Sequence, residues 1–187
     1  MREDHLDIDC VCTSNATEKL ALELGLPVIP FGEVEQVDHL FDGASEVDHD
    51  LRMLKGQFGA IARQRLVAQV ARHRVYMVGE DKVVNKLGTN ALLTITIIAF
   101  GVASIRNRLR DLGLSGIVRR NLDGEVFLTD GGNLVLDMSL PDRDLADLAN
   151  ELDHVAGIVD HGIFLDEADE VLVECKNGDV RRLVRAG

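Results

Sequence analysis

Residues 41–68 read FDGASEVDHDLRMLKGQFGAIARQRLVA, and the arrangement of the chain turns on this stretch. Phe41 closes a short apolar approach, and Asp42-Gly43-Ala44 makes a tight turn. Glu46, Asp48 and Asp50 follow, then Lys55-Gly56, an aromatic, Gly59 and a helical run from Ala60. Asp42 and Glu46 put carboxylates beside a turn, where backbone and side chain can both face a ligand. Gly56 and Gly59 let the backbone come close to that ligand just before a helix begins.

Toward the N-terminus, residues 1–9 are charged and are expected to fray. Residues 9–13 and 26–31 read as short strands around a helix over 16–24, capped by Ser14-Asn15 and ended by Gly25. Residues 34–37 read as a connector, and 39–41 lead into the Asp42 turn. This β-α-β rhythm argues for a parallel sheet with crossover helices. Downstream of the turn, 59–72 reads as a helix, 75–78 as a strand and 82–87 as a polar connector.

A second block starts near Leu92. Its order is strand 92–98, helix 101–112, strands 116–121, 125–129 and 133–138, helix 142–153 and strand 155–160. Asp123-Gly124 and Gly131-Gly132 are turn signals within it. Two helices on one face of an antiparallel sheet make an α+β lobe. Strands 170–174 and 180–184 join through Asn177-Gly178, the strongest hairpin signal in the chain.

Composition removes several functions. The 187 residues carry a net charge of −12, which argues against nucleic acid, since phosphate backbones need clustered Lys and Arg. No apolar run approaches the roughly 18 residues of a membrane span, and the first ten residues lack a signal-peptide pattern. Cys10, Cys12 and Cys175 have no CxxC spacing, so a cytoplasmic protein with free thiols and no metal site is expected.

The 41–68 stretch resembles the signature of the ribose-5-phosphate isomerase A family. That family carries a DGADE turn, a KGGGA loop and a helix reading roughly LxREK. Here these stand as Asp42-Gly43-Ala44-Ser45-Glu46, Lys55-Gly56-Gln57-Phe58-Gly59-Ala60 and Ile61-Ala62-Arg63-Gln64-Arg65. The family's TDNGN appears as Thr129-Asp130-Gly131-Gly132-Asn133. The likeness runs colinearly from about Val11 to the C-terminus. It implies an α/β fold with two parts: a Rossmann-like parallel-sheet lobe (1–90 and 162–187) and a smaller α+β, ferredoxin-like lobe (91–161). It also implies interconversion of ribose 5-phosphate and ribulose 5-phosphate without cofactor or metal, and a homo-oligomer.

An aldose–ketose isomerase needs a base beside the substrate carbon and a cation or donor for the enediolate oxygen. By resemblance the catalytic positions are Asp42, Lys55 and Gln64, and the substrate-binding ones are Gly43, Ala44, Ser45, Gly56 and Lys82. The chain departs from the family at two of these. Ser45 stands where the second Asp of the turn should be, and Gln64 where the base Glu should be. Gln has nearly the shape of Glu but takes no proton at neutral pH. Losing a general base costs about 10²- to 10⁴-fold in rate. The family's PLPVEV strand reads Ala91-Leu92-Leu93-Thr94-Ile95-Thr96, without its carboxylate. No Gly-Thr-Gly-Ser-Thr loop precedes Val11, so the phosphate grip is expected to be missing or rebuilt. The expectation is an isomerase-type protein of weak or altered activity. The alternative is a non-catalytic homologue that binds a sugar phosphate or serves as an oligomer partner. Simpler roles stand beside these: Asp42 as a turn former, Lys55 as a surface lysine, Glu46 as a peripheral ion pair or a substitute base. His49 is the one histidine near the turn.

Overall fold

The computed structural model describes residues 7–185; of the fraying expected over residues 1–9, the part on residues 1–6 lies outside that range. A four-stranded sheet holds β1 (Val37–Asp42), β4 (Ala71–Gly79), β10 (Glu170–Glu174) and β11 (Val180–Val184) in the order β1-β4-β10-β11. β1, β4 and β10 run parallel, and β11 returns antiparallel through the Asn177-Gly178 turn. Helix α2 (Ile61–Val70) is the crossover between β1 and β4. Its Ile61, Val67 and Ala68 join Leu40, Tyr76, Val78, Val171 and Val173 in one apolar cluster.

The second sheet is antiparallel: β6 (Gly116–Val118), β7 (Leu134–Met138), β5 (Leu93–Ile97) and β8 (Ile158–His161), in the order β6-β7-β5-β8. Helices α3 (Val102–Asp111) and α4 (Leu145–Asp153) cover it through Ile105, Leu109, Leu148 and Leu152. Leu93, Ile95 and Ile97 of β5 face this helical cluster. Thr94 and Thr96, one residue out of phase, therefore face the opposite way. A three-stranded antiparallel patch, β2 (Glu46–Val47), β3 (Met53–Leu54) and β9 (Ile163–Phe164), completes the sheets. Leu54 and Ile163 belong to the second cluster, Met53 and Phe164 to the first, so this patch stitches the two together.

The architecture is mixed α/β, as read from the sequence, with differences in detail. The strands expected over 9–13 and 26–31 reduce to one parallel bridge, Cys10 to Val28. Pro27 and Pro30 have no N–H and cut the second segment short. Helix α1 (Asn15–Glu23) lies between them, and Ser14 Oγ accepts from Thr17 N at 3.1 Å as its cap. β1 begins at Val37, inside the expected connector. β4 begins at Ala71, four residues before the expected strand and directly after α2. The strand expected over 125–129 makes only the isolated bridges Arg120–Val126 and Leu128–Leu134. The two-residue strands β2, β3 and β9 were not foreseen.

Candidate functional site

The site forms where β1 ends. Asp42 closes the strand, and Gly43 N donates to its Oδ1 at 2.7 Å. Ser45 N donates to Leu54 O at 2.8 Å, which folds the turn back over β3. Lys55 follows β3 directly, and its N donates to Gly162 O at 2.8 Å. Gly56 then adopts φ +114°, and a Cβ there would lie 2.7 Å from both Ile61 Cδ1 and Thr94 Cβ. Only glycine fits that turn. Arg119 supports the loop from beneath: it donates to Gly56 O at 3.0 Å and Gln57 O at 2.8 Å while paired with Asp137.

Lys55 is not a surface lysine. It is 2% exposed, and its Nζ donates to Asp42 Oδ2 at 2.9 Å and to the Gly43 carbonyl. The ammonium lies 5.0 Å from the Tyr76 ring centre and 5.6 Å from that of Phe164. Burial draws its pKa below the usual lysine value, and the Asp42 carboxylate opposes that shift. Gln64, in the first turns of α2, donates from Nε2 to Asp42 Oδ1 at 3.1 Å. That orientation of the amide is fixed by the carboxylate it faces.

Asp42, Gly43, Ala44, Ser45, Lys55, Gly56 and Gln64 thus line one cavity of about 150 Å³. Lys82 stands apart, on a neighbouring hollow of about 580 Å³ that it shares with Ser45, Gln57 and Arg119. Glu46 is neither a peripheral ion pair nor placed to act as a base. It is 1% exposed, and its carboxylate accepts from Gly88 N at 2.6 Å, Ala91 N at 2.9 Å and Asn90 N. It holds the chain leading into β5. Asp48 is likewise internal, accepting from Asp50 N and Arg52 N and pairing with Arg52. His49 reaches Asn85 instead of the cavity.

Two supports of the site were not visible in the sequence. Arg119 lies 63 residues from Gly56. Arg65, one residue after Gln64, donates to Asp160 Oδ1 at 2.8 Å, His161 O at 2.7 Å and Ile163 O at 2.9 Å. It also pairs with Glu167 and lies 4.0 Å over the Phe164 ring, so it fixes α2 against β8 and β9. Chemically, the cavity offers a buried cation, a carboxylate and an amide around a glycine loop. Such a set suits a small polyoxygenated ligand with a carbonyl near Lys55.

The comparisons with known proteins agree with that class. The family model for ribose 5-phosphate isomerase A (phosphoriboisomerase A) matches residues 9–178. The chain is 38% identical over 180 residues to the ribose-5-phosphate isomerase A of Desulfatibacillum aliphaticivorans, covering 95% of this chain and 78% of that one. It is 36% identical over 174 residues to a bifunctional ribokinase/ribose-5-phosphate isomerase A of Fructilactobacillus sanfranciscensis, and spans 92% of its own length but 32% of that protein. Among solved structures, a ribose 5-phosphate isomerase from Plasmodium falciparum superposes with a TM-score of 0.92 at 31% identity, over 97% of this chain and 80% of that one. A D-ribose-5-phosphate isomerase in complex with phospho-erythronic acid gives 0.91 at 30% identity, over 96% and 79%. The chain belongs to the ribose 5-phosphate isomerase A family.

Proposed function

We propose that the Asp42–Lys55–Gln64 cavity binds an open-chain sugar phosphate of the ribose 5-phosphate type, and that the chain interconverts aldose and ketose only weakly. A cytoplasmic setting fits this reading. The supporting observation for weak turnover is the Gln64 amide, which donates to Asp42 at 3.1 Å where the reaction needs a proton acceptor. The reaction removes a proton from the carbon beside the carbonyl and returns it to the neighbouring carbon. Lys55 is suited to the enediolate oxygen, but stabilising an intermediate that is not formed does little for rate. Asp42 is a poor substitute base, because its two oxygens already accept from Lys55, Gln64 and Gly43 N. The phospho-erythronic acid complex of a relative supports the ligand class, since that compound pairs a phosphate with a short oxygenated chain.

The test is ketose formation from ribose 5-phosphate at neutral pH. The expected rate is at least about 10²-fold below that of a relative with the glutamate in place, the low end for loss of a general base. Gln64→Glu is expected to raise it. A full rate in the unaltered protein, abolished by Lys55→Met, would refute the reading.

The second reading, a non-catalytic homologue acting as an oligomer partner, draws on the uncovered face of the first sheet. Phe41, Met77, Val180 and Val184 are each at least half exposed there.

A further inference from the structure

A second cavity, about 550 Å³, adjoins the Lys55 cavity and shares Asp42, Phe58 and Gln64 with it. One of its walls is the 13–17 segment, where α1 begins; the start of α2 and the 127–133 segment form the others. The first wall is loosely held. Of residues 7–36, Ala21 alone is buried. Leu20, Leu22 and Leu24 are each more than half exposed. Packing of an apolar face is what fixes most helices of this length, so α1 contributes little to its own anchorage. Val11 and Phe31 add partial contact with the first apolar cluster.

The polar ties are as few. The Cys10–Val28 bridge joins the extended segments on either side of α1 to each other. β1 is the edge strand, and among the described residues it pairs with β4 alone. The hydrogen bonds that tie residues 7–35 to the rest of the described structure converge on Asn15. Its N donates to Asp130 Oδ2 at 2.8 Å, and its Oδ1 accepts from Arg63 at 3.0 Å. Arg63 also donates to Asp130 Oδ2 at 3.3 Å, which closes a latch among the three walls of the cavity. Residues 34–36 then link this unit to β1. A segment with few buried contacts and exposed hydrogen bonds opens at low free energy while the rest stays folded.

We propose that residues 10–33 form a flap, hinged at 34–36, which the Asn15–Asp130–Arg63 latch holds over the Asp42–Gln64 side of the site, so that a ligand enters when the flap opens. The inference takes the identity of the ligand from the sugar-phosphate reading above and adds how entry is controlled. The test is native-state hydrogen exchange of the full chain by NMR, with and without ribose 5-phosphate, and calorimetry on the same ligand. The α1 amides from Glu18 to Leu24 are expected to be at least about 10²-fold less protected than those of β4, since they exchange through the local opening. Asp130→Ala and Arg63→Ala are each expected to speed α1 exchange about 2- to 10-fold, the loss of one hydrogen bond, and to leave β4 unchanged. Ribose 5-phosphate is expected to slow α1 exchange in the unaltered protein. Protection of α1 equal to that of β4 would overturn the proposal, and so would α1 exchange that neither variant moves. Binding of ribose 5-phosphate that leaves α1 exchange unchanged would overturn the control of entry. Failure of ribose 5-phosphate to bind would overturn the sugar-phosphate reading instead, and the two variants would still decide the flap.

Discussion

Asp42 is the residue on which the site converges, accepting from Gly43 N, Lys55 Nζ and Gln64 Nε2. That convergence was legible in the sequence, because turn, loop and helix start are separated by short segments and each carries a recognisable residue pattern. The part played by Glu46 was not. A glutamate after an acidic turn reads like any surface carboxylate, and its three backbone donors lie 42 to 45 residues away. Glu46→Ala would leave those N–H groups buried without an acceptor, at about 1–3 kcal/mol for each one that water cannot reach. A loss of roughly 3 kcal/mol or more is expected in urea unfolding. A change under about 0.5 kcal/mol, the range of ordinary surface substitutions, would show that Glu46 does not hold this segment.

Among the elements, β5 was well marked by its period-two pattern: Leu93, Ile95 and Ile97 go to the helices, Thr94 and Thr96 to the opposite side. β2, β3 and β9 were hidden because two residues cannot show a period. The α2–β4 junction was misplaced because no glycine or proline marks it. β8 ends on His161, which is 3% exposed and lies between α4 and the 160–163 turn. Its Nε2 faces Asp153 Oδ1 at 3.2 Å, and its Nδ1 accepts from Ile163 N at 3.3 Å, so the neutral ring with hydrogen on Nε2 fits both. A second proton would have to go on Nδ1, against the Ile163 N–H. Burial pushes the imidazole below its usual 6.5, Arg65 adds to the shift, and Asp153 and Asp160 oppose it. The unfolded chain therefore takes up this proton first as pH falls. Stability from His161 is complete above about 6.5 and is lost as pH drops through the folded value. His161→Gln is expected to flatten the fall in stability between about pH 7 and pH 5, measured by urea unfolding across that range. An unchanged slope would show that another group carries it.

For the whole molecule, the first sheet is covered on one face only. Strand pairing puts Phe41, Met77, Val180 and Val184 on the other, interspersed with Glu170, Glu174 and Arg182. Parallel sheets are ordinarily buried on both faces, and exposed apolar side chains on an uncovered sheet face favour association. Light scattering at micromolar concentration is expected to give a dimer or larger species, reduced to a monomer by Phe41→Glu with Met77→Glu. A monomer in the unaltered protein would show that nothing covers this face in solution. The sequence could not reveal it, because Phe41 and Met77 have the same local patterns as core strand residues. The central proposal is that the Asp42–Lys55–Gln64 cavity takes a sugar phosphate but carries an amide where the reaction needs its general base. The most direct measurement is proton NMR of ribose 5-phosphate in deuterated buffer with the purified protein, following the hydrogen on carbon 2. Exchange at least about 10²-fold slower than with a relative that has the glutamate, with Gln64→Glu speeding it, is the expected result. Rapid exchange by the unaltered protein, lost in Lys55→Met, would contradict the account.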